Sequence, residues 1–221
     1  NYERLFRSNQ RDMKIEAVTV CIDYSDCLSR CIQNKDYVDE WIIVTHHRDD
    51  RTIQLCIDND IRYIESERIY NNGAYFAKGK AINEGLLRLA KDDWILHIDA
   101  DQKLPSNFRD IISTQDMDKE CIYGAARQYD GKLRVEINPS TGEVHQRPLV
   151  GFFQLWHSSK FTDYPENSKH AGDDDQDMPL RFNYPEQWKY LDLVLEDTSG
   201  EFCMNWYGRK FHKRLSAIRN G

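Results

Sequence analysis

Short apolar runs alternate with amphipathic segments through the first half of the chain. β-Branched and apolar residues dominate four runs, which predicts buried strands at 15–22, 40–45, 61–65 and 94–98. The segments between them carry apolar residues at helical spacing, at 27–41, 52–60 (with Thr52 as N-cap) and 79–93. Because strands that are apolar throughout need cover on both faces, this order predicts a parallel sheet flanked by helices.

The second half of the chain has a less regular pattern. Apolar runs at 121–129 and 151–161 predict two further strands, and turn residues at 130–131 and 139–142 predict a hairpin between them. A helix is expected to open after the acidic residues at 173–175. No repeat, linker or low-complexity stretch divides the chain, so we expect a single domain over all 221 residues.

The composition narrows the class of protein. A formal net charge of −7 disfavours nonspecific binding of nucleic acid, which needs a basic surface. No apolar run approaches the length of a membrane span and the polar N-terminus is unlike a signal peptide, so we expect a cytoplasmic protein. The six cysteines form no CxxC pair, which is typical of buried thiols in a reducing compartment, with zinc or disulfides as the alternatives.

Two aspartates follow the predicted strand at 94–98. Asp99 and Asp101 flank one alanine, so both carboxylates can turn toward one point, where they repel each other unless a cation lies beside them. Hard divalent cations with oxygen ligands are the usual partner. Asp23, Thr45 and Asp99 each follow a predicted strand. In an open α/β sheet these strand ends share one edge, and ligands bind there.

Five motifs succeed one another along the chain, namely "FAKGKAINEGL", "WILHIDADQKLP", "GFFQLW", "DDQDMPLRF" and "NWYGR". Their order resembles that of family 2 glycosyltransferases with the GT-A fold, over roughly residues 16–210. The resemblance implies a nucleotide-sugar donor, usually a uridine diphosphate sugar, with Mn²⁺ or Mg²⁺, and a glycan or another hydroxyl compound as acceptor. Residues 1–104 would then bind the donor and residues 105–221 the acceptor. The chemistry agrees, since a metal stabilises the charge that grows on a departing diphosphate.

The resemblance implies roles for residues at the donor end. Asp23 and Tyr24 would lie against the nucleoside, with Tyr24 stacked on the base, and Asp50 would lie near the base. The diphosphate would lie along the start of the helix that carries Lys78, Lys80 and Asn83. A helix N-terminus and cations both suit an anionic ligand.

The metal ligands are also implied by the resemblance. Asp101 would bind the metal, while Asp99 would face the ribose or reach the metal through water. Some members place a histidine ligand at the end of a later strand, where this chain has Glu196 and Asp197. A carboxylate such as that of Asp197 can replace the imidazole, and His212 or no protein group is the alternative. His97, inside a strand, is expected to be a core or wall histidine rather than a ligand.

The second acidic motif of the family reads roughly Glu-Asp-x-Asp-Leu-x-x-Arg, and residues 174–181 match it here. Asp175 takes the position of the general base of inverting members, and such a base must lie at the acceptor hydroxyl. Asp174 replaces the usual glutamate, and Asp173 leaves a shift by one residue open. Trp156 is expected to form an aromatic wall for the acceptor, with core packing as the alternative.

Two other functions compete with an inverting, metal-dependent glycosyltransferase. A sugar nucleotidyltransferase shares the fold but usually carries a glycine-rich signature after the first strand, and "CIDYSDCL" has no glycine. A non-catalytic carbohydrate-binding or nucleotide-binding protein would not need Asp99, Asp101 and Asp175 together. Surface glycans and modified DNA bases are both open as acceptors, although the net charge disfavours DNA.

Overall fold

A computed structural model describes residues 13–73, 76–133, 136–137, 144–145, 149, 151–166 and 175–199. Its centre is a nine-stranded sheet. The strands in chain order are β1 Ile15–Val20, β2 Glu40–Thr45, β3 Arg62–Glu65, β4 Trp94–Ile98, β5 Gln102–Lys103, β6 Ile122–Tyr129, β7 Lys132–Leu133, β8 Glu136–Ile137, β9 Val144–His145, β10 Phe153–His157 and β11 Trp188–Asp197. The α-helices are α1 Ser25–Cys31, α2 Asp50–Asp58, α3 Lys78–Leu86 and α4 Phe108–Thr114.

The sheet has the order β3-β2-β1-β4-β10-β6-β11-β5, with β7 paired to β6. Strands β3, β2, β1 and β4 run parallel, as the sequence predicted. Strand β10 pairs antiparallel with both β4 and β6, and β11 runs parallel to β6 and antiparallel to β5. Strands β8 and β9 form a separate two-stranded sheet. The predicted α/β class with a parallel first half is therefore confirmed.

Helices cover both faces of the parallel strands. Ile15 and Ala17 of β1 belong to a cluster that includes Leu28 of α1, Cys56 of α2 and Phe108 of α4, all of them buried. The alternate residues of β1 pack with Ala81, Ile82 and Leu86 of α3 on the other face. Helix α3 lies close to the sheet because Gly85 has no side chain: a Cβ there would lie 2.7 Å from Val18 Cγ1.

Several predicted helix boundaries differ from the structure. The segment at 27–41 divides into α1 and a 3₁₀ helix at Ile32–Tyr37, and α3 ends at Leu86. Helix α2 begins at Asp50, because Asp49 rather than Thr52 is its N-cap and accepts a hydrogen bond from Thr52 N. The helix expected after the acidic residues at 173–175 is short. Residues 175–177 form one helical turn before a 3₁₀ helix at Pro179–Arg181, since proline lacks the amide hydrogen that an α-helix needs.

The described cysteines are buried free thiols, at Cys21, Cys27, Cys31, Cys56 and Cys121. Burial raises the pKa of Cys31 and of Cys56 to about 12, so these thiols stay protonated. The expectation of buried thiols is confirmed for these five; Cys203 lies outside the described residues. No helix in the described ranges is both long enough and apolar enough to cross a membrane.

Candidate active site

Polar loops follow β1, β2 and β4 at one edge of the sheet. The parallel register of these strands brings their carboxyl ends together, as predicted. Asp49, after β2, accepts a hydrogen bond of 2.8 Å from Asp23 N, after β1. Its carboxylate also accepts hydrogen bonds from Thr45 Oγ1 and Thr52 Oγ1, at 3.3 and 2.6 Å. The buried carboxylate of Asp49 therefore fixes the two loops against α2.

Lys78, the first residue of α3, forms a buried ion-pair cluster with two aspartates. Lys78 Nζ lies 2.7 Å from Asp99 Oδ1 and within 2.9–3.0 Å of both carboxylate oxygens of Asp175. It also donates to the carbonyl oxygen of Gly151 at 3.4 Å. Burial alone would lower the pKa of Lys78, but the carboxylates of Asp175 and Asp99 outweigh it and raise that pKa, so the side chain is charged.

The carboxylate of Asp175 lies directly on the backbone of Gly151. A Cβ at Gly151 would be 1.8 Å from Asp175 Cγ, so no other residue could stand there without moving the aspartate. Gln154 Nε2 donates to the backbone oxygen of Asp175 at 2.8 Å. The hydroxyl of Tyr164 donates to Gln154 Oε1 at 2.6 Å and lies 3.4 Å from Asp175 Oδ1. Asp175 is thus held on three sides by strand β10 and its flanking residues.

Asp101 belongs to a neighbouring group of buried charges. Pairing of β5 with β11 sets Gln102 opposite Asp197, and Thr198 N donates to the backbone oxygen of Asp101 at 2.7 Å. Burial, followed by repulsion from Asp99 and Asp197, raises the pKa of Asp101 to about 6. A hydrogen bond from Gln102 Nε2 and the charge of Arg127 oppose that rise. The site therefore holds more negative charge than its own cations balance.

These carboxylates fit a divalent cation. Asp99 Oδ2 is buried and has no hydrogen-bond partner among the described residues, while its other oxygen binds Lys78. Asp101 and Asp197 are 3% and 2% exposed and repel each other. Buried carboxylate oxygens of this kind are the ligands that Mg²⁺ and Mn²⁺ prefer. A metal here would be held by Asp101 with Asp197, and Asp99 Oδ2 is available beside them.

Two of the predicted site residues, Trp156 and Asn83, make structural contacts within the protein. Trp156 is fully buried in the core, and its indole N–H donates to the backbone oxygen of Phe161. The expectation that Trp156 forms an acceptor wall is therefore wrong, because no acceptor can touch it. The amide of Asn83 contacts the backbone of Tyr164 and the carboxylate of Glu166. It fixes that loop to α3, and its expected contact with the donor stays a prediction.

The other predicted residues lie on the edge of the sheet or outside the described ranges. Tyr24 is half-buried and packs against the core, Asp50 is exposed in the first turn of α2, and Lys80 is buried on α3. His97 is fully buried; burial, with the charge of Lys78, keeps its pKa well below its usual range, so it is neutral as a core histidine should be. Asp173, Asp174 and His212 lie outside the described residues.

A second polar cluster was not anticipated from the sequence. His46, His47 and Glu67 bring their donor atoms within 4.8 Å of one another after β2 and β3. However, Arg48 N donates to His46 Nδ1 at 3.3 Å, and Arg48 Nε donates to His47 Nε2 at 3.1 Å. A histidine that binds metal normally donates from its second ring nitrogen. These two donors therefore disfavour a metal in this cluster.

A groove of about 660 Å³ lies between α3 and residues 162–166. Two arginines at its wall, Arg68 and Arg181, are paired with Glu166 and Asp163. Tyr164 also lines it, and the hydroxyl of this residue lies 3.4 Å from Asp175 Oδ1. The groove is therefore a neighbour of the charged site and not the site itself.

No protein-family model matches the sequence, and no curated protein matches it either. Solved structures do match. Glucosyl-3-phosphoglycerate synthase from Mycobacterium tuberculosis, in complex with Mn²⁺, uridine-diphosphate-glucose and phosphoglyceric acid, has a TM-score of 0.56 and 16% identity over 94% of this chain and 76% of that chain. Mannosyl-3-phosphoglycerate synthase from Rubrobacter xylanophilus has a TM-score of 0.52 and 16% identity over 94% and 70%.

A nucleotidyltransferase is similar as well. The inositol-1-phosphate CTP transferase from T. maritima has a TM-score of 0.54 and 9% identity, with 96% of this chain and 98% of that chain covered. At such identities the likeness is one of fold. The chain therefore has a GT-A-like fold, an α/β architecture that these glycosyltransferases share with nucleotidyltransferases.

Proposed function

We propose that the protein is a metal-dependent glycosyltransferase that moves a sugar from a nucleoside diphosphate donor, a uridine diphosphate sugar, to a hydroxyl group of its acceptor. The observation that carries this proposal is the group of buried carboxylates Asp99, Asp101 and Asp197 at the ligand-binding edge of a GT-A fold. A structural neighbour that binds Mn²⁺ with a uridine diphosphate sugar supports the choice of donor and metal.

The donor would lie across the ends of β1, β2 and β4. Asp23, Tyr24 and Asp50 are proposed to face the nucleoside, with Lys78 and Lys80 near the diphosphate at the start of α3. Asp101, with Asp197 beside it, would hold Mn²⁺ or Mg²⁺. When bound, the metal would supply positive charge to the departing diphosphate.

Asp175 is proposed to remove the proton of the acceptor hydroxyl. Its carboxylate is held next to the donor end of the site by Lys78 and by the backbone of Gly151. A single base on the acceptor side allows one displacement at the anomeric carbon, which inverts its configuration. The acceptor is a glycan or another hydroxyl compound, and a modified DNA base is the less favoured choice for a chain with a net charge of −7.

A sugar nucleotidyltransferase is the second candidate, because two of the similar structures belong to that class. The loop after β1 reads Cys21-Ile22-Asp23-Tyr24 and carries no glycine to approach a triphosphate closely. A carbohydrate-binding or nucleotide-binding protein without catalysis is the third. It gives no reason for a charged lysine buried between two aspartates at the same edge.

Mn²⁺ and uridine diphosphate together should stabilise the protein more than either one does alone. At ligand concentrations of about 100 Kd the gain is about 2.7 kcal/mol, which corresponds to about 5–10 °C in Tm for a chain of this size. Differential scanning fluorimetry with each ligand, with both, and with a chelator measures it. Asp101→Asn should abolish the joint effect, and a joint shift no larger than the sum of the separate shifts argues against the proposed site.

Asp101→Asn should stabilise the metal-free protein at neutral pH. The folded pKa of Asp101 is raised, so the folded state binds more protons than the unfolded state between about pH 4 and the folded pKa of about 6. The free energy of unfolding therefore falls by about 1–3 kcal/mol as the pH rises through this window. Asparagine does not titrate, so the Asp101→Asn variant does not lose this stability. Urea titrations with chelator at pH 4 and pH 7.5 measure the difference.

The exposed residue Asp116 provides the matched control for that experiment. Asp116→Asn should show the same difference from the unmodified protein at both pH values, because its carboxylate is solvated in both states. If Asp101→Asn also shows no pH-dependent gain, the crowding of negative charge around Asp101 is refuted.

Asp175→Asn should lower turnover by about 10²-fold or more, the usual scale for a lost acid–base group. Donor affinity should not fall, since the asparagine keeps the shape of the side chain and leaves the Lys78 ammonium less tightly held. Steady-state kinetics with both substrates separate the two effects. If Asp174→Asn causes the loss while Asp175→Asn does not, the base is Asp174 and the assignment is off by one residue.

The product should have inverted anomeric configuration. An α-linked uridine diphosphate sugar is expected to give a β-linked product, because one base on the acceptor side drives one displacement. Proton NMR of the product reads the anomeric coupling directly. A coupling typical of an α-linked product from an α-linked donor shows retention, and the role proposed for Asp175 would then be wrong.

A further inference from the structure

We propose that Lys78 is a positioning residue that sets the candidate base, Asp175, against the donor end of the site through one buried ammonium group. The same ammonium binds Asp99, so it ties a carboxylate that follows β4 to a carboxylate of the second half of the chain. The role of Asp175 as a base rests on the proposed function, whereas the ion pair between Lys78 and Asp175 is a feature of the structure.

Three groups accept hydrogen bonds from the Lys78 ammonium. They are the carboxylates of Asp99 and Asp175 and the carbonyl oxygen of Gly151, and the side chain is 4% exposed. A lysine is rarely buried to this degree unless its charge is paired, because desolvation of a lone ammonium is expensive. Lys78 is therefore held in one place, and it holds its partners in return.

The two partners of Lys78 belong to different parts of the chain. The backbone of Asp99 is fixed at the end of β4 through a hydrogen bond from its N–H to Phe152. Asp175 lies in a single helical turn that comes 97 residues after Lys78 in the chain. Gly151 leaves room for its carboxylate, and Lys78 supplies the attraction that draws the carboxylate there.

Donor binding should act on the base through this ammonium. One positive charge is shared by two carboxylates, so the cluster of Lys78, Asp99 and Asp175 carries a net charge of −1. A diphosphate near the start of α3 would compete for the same ammonium and so alter how firmly it holds Asp175. A lysine that only binds the diphosphate would have no such link to Asp175.

A double-mutant cycle with Lys78→Met and Asp175→Asn tests the inference in two ways. In ligand-free protein, urea unfolding should show that Lys78→Met raises the unfolding equilibrium constant by about 10²-fold, the effect of stranding buried carboxylates. Asp175→Asn added to Lys78→Met should recover at least about 10-fold of that loss, because one stranded charge is gone. The same cycle with Lys80→Met, a buried lysine on the same helix, should be additive.

The kinetic cycle separates positioning from simple donor binding. Lys78→Met should lower kcat at saturating donor by about 10-fold or more, and the double variant should be no slower than Asp175→Asn alone. If Lys78 only binds the diphosphate, the KM for donor rises, kcat holds, and the two substitutions multiply. That result overturns the positioning role, as does additivity in the unfolding cycle.

If Lys78→Met fails to fold, NMR of the lysine ammonium groups provides an independent test. In ¹⁵N-lysine-labelled protein, one ammonium signal should be protected from exchange with solvent and should move in Asp175→Asn while persisting in Lys80→Met. Absence of any protected signal, or a signal indifferent to Asp175→Asn, overturns the inference. Lack of all transferase activity would refute the proposed function, while the unfolding cycle and the NMR experiment would still decide whether Lys78 holds Asp175.

Discussion

The burial of one ammonium group between two carboxylates is the constraint on which the candidate site depends. Lys78, Asp99 and Asp175 are each at least nine-tenths buried, where an unpaired charge would be strongly unfavourable. Each charge is tolerated only because the others are within hydrogen-bond distance. The positions of α3, β4 and the turn that carries Asp175 are therefore linked by electrostatics as well as by packing.

The fold makes this arrangement possible by bringing distant segments to one edge. Parallel pairing of β1, β2 and β4 aligns their carboxyl ends, and α3 starts at the same edge. Strand β11 pairs with β5, and this pairing brings the carboxylate of Asp197 near that of Asp101. The cluster around Lys78 and the group of Asp101, Asp197 and Arg127 each carry a net charge of −1. The ammonium lies within hydrogen-bond distance of both of its carboxylates, whereas Arg127 lies 3.9 Å from Asp197 and compensates the repulsion at Asp101 only in part. That difference supports the proposal that Asp101 and Asp197 hold the metal.

The sequence predicted those features that depend on local pattern. Continuous apolar runs identified the parallel strands, and the aspartates after them predicted the edge at which the structure brings buried carboxylates together. Asp197 became a candidate ligand through the family resemblance, which places a ligand at the end of a later strand. The sequence pattern could not show that Trp156 faces the core, because an aromatic residue on a strand suits the wall of a binding site and a protein core equally well. It also could not join Lys78 to Asp175, because only tertiary structure brings residues 97 positions apart into contact.

The most direct test of the account is the identity of the phosphate compound that the protein releases. The protein with Mn²⁺ would be incubated with a panel of nucleotide sugars, and separately with nucleoside triphosphates and sugar phosphates. The account predicts metal-dependent release of uridine diphosphate from at least one uridine diphosphate sugar, through transfer or slow hydrolysis, and its loss in Asp101→Asn. Release of pyrophosphate from a triphosphate and a sugar phosphate, without release of any nucleoside diphosphate, would contradict it and identify a nucleotidyltransferase.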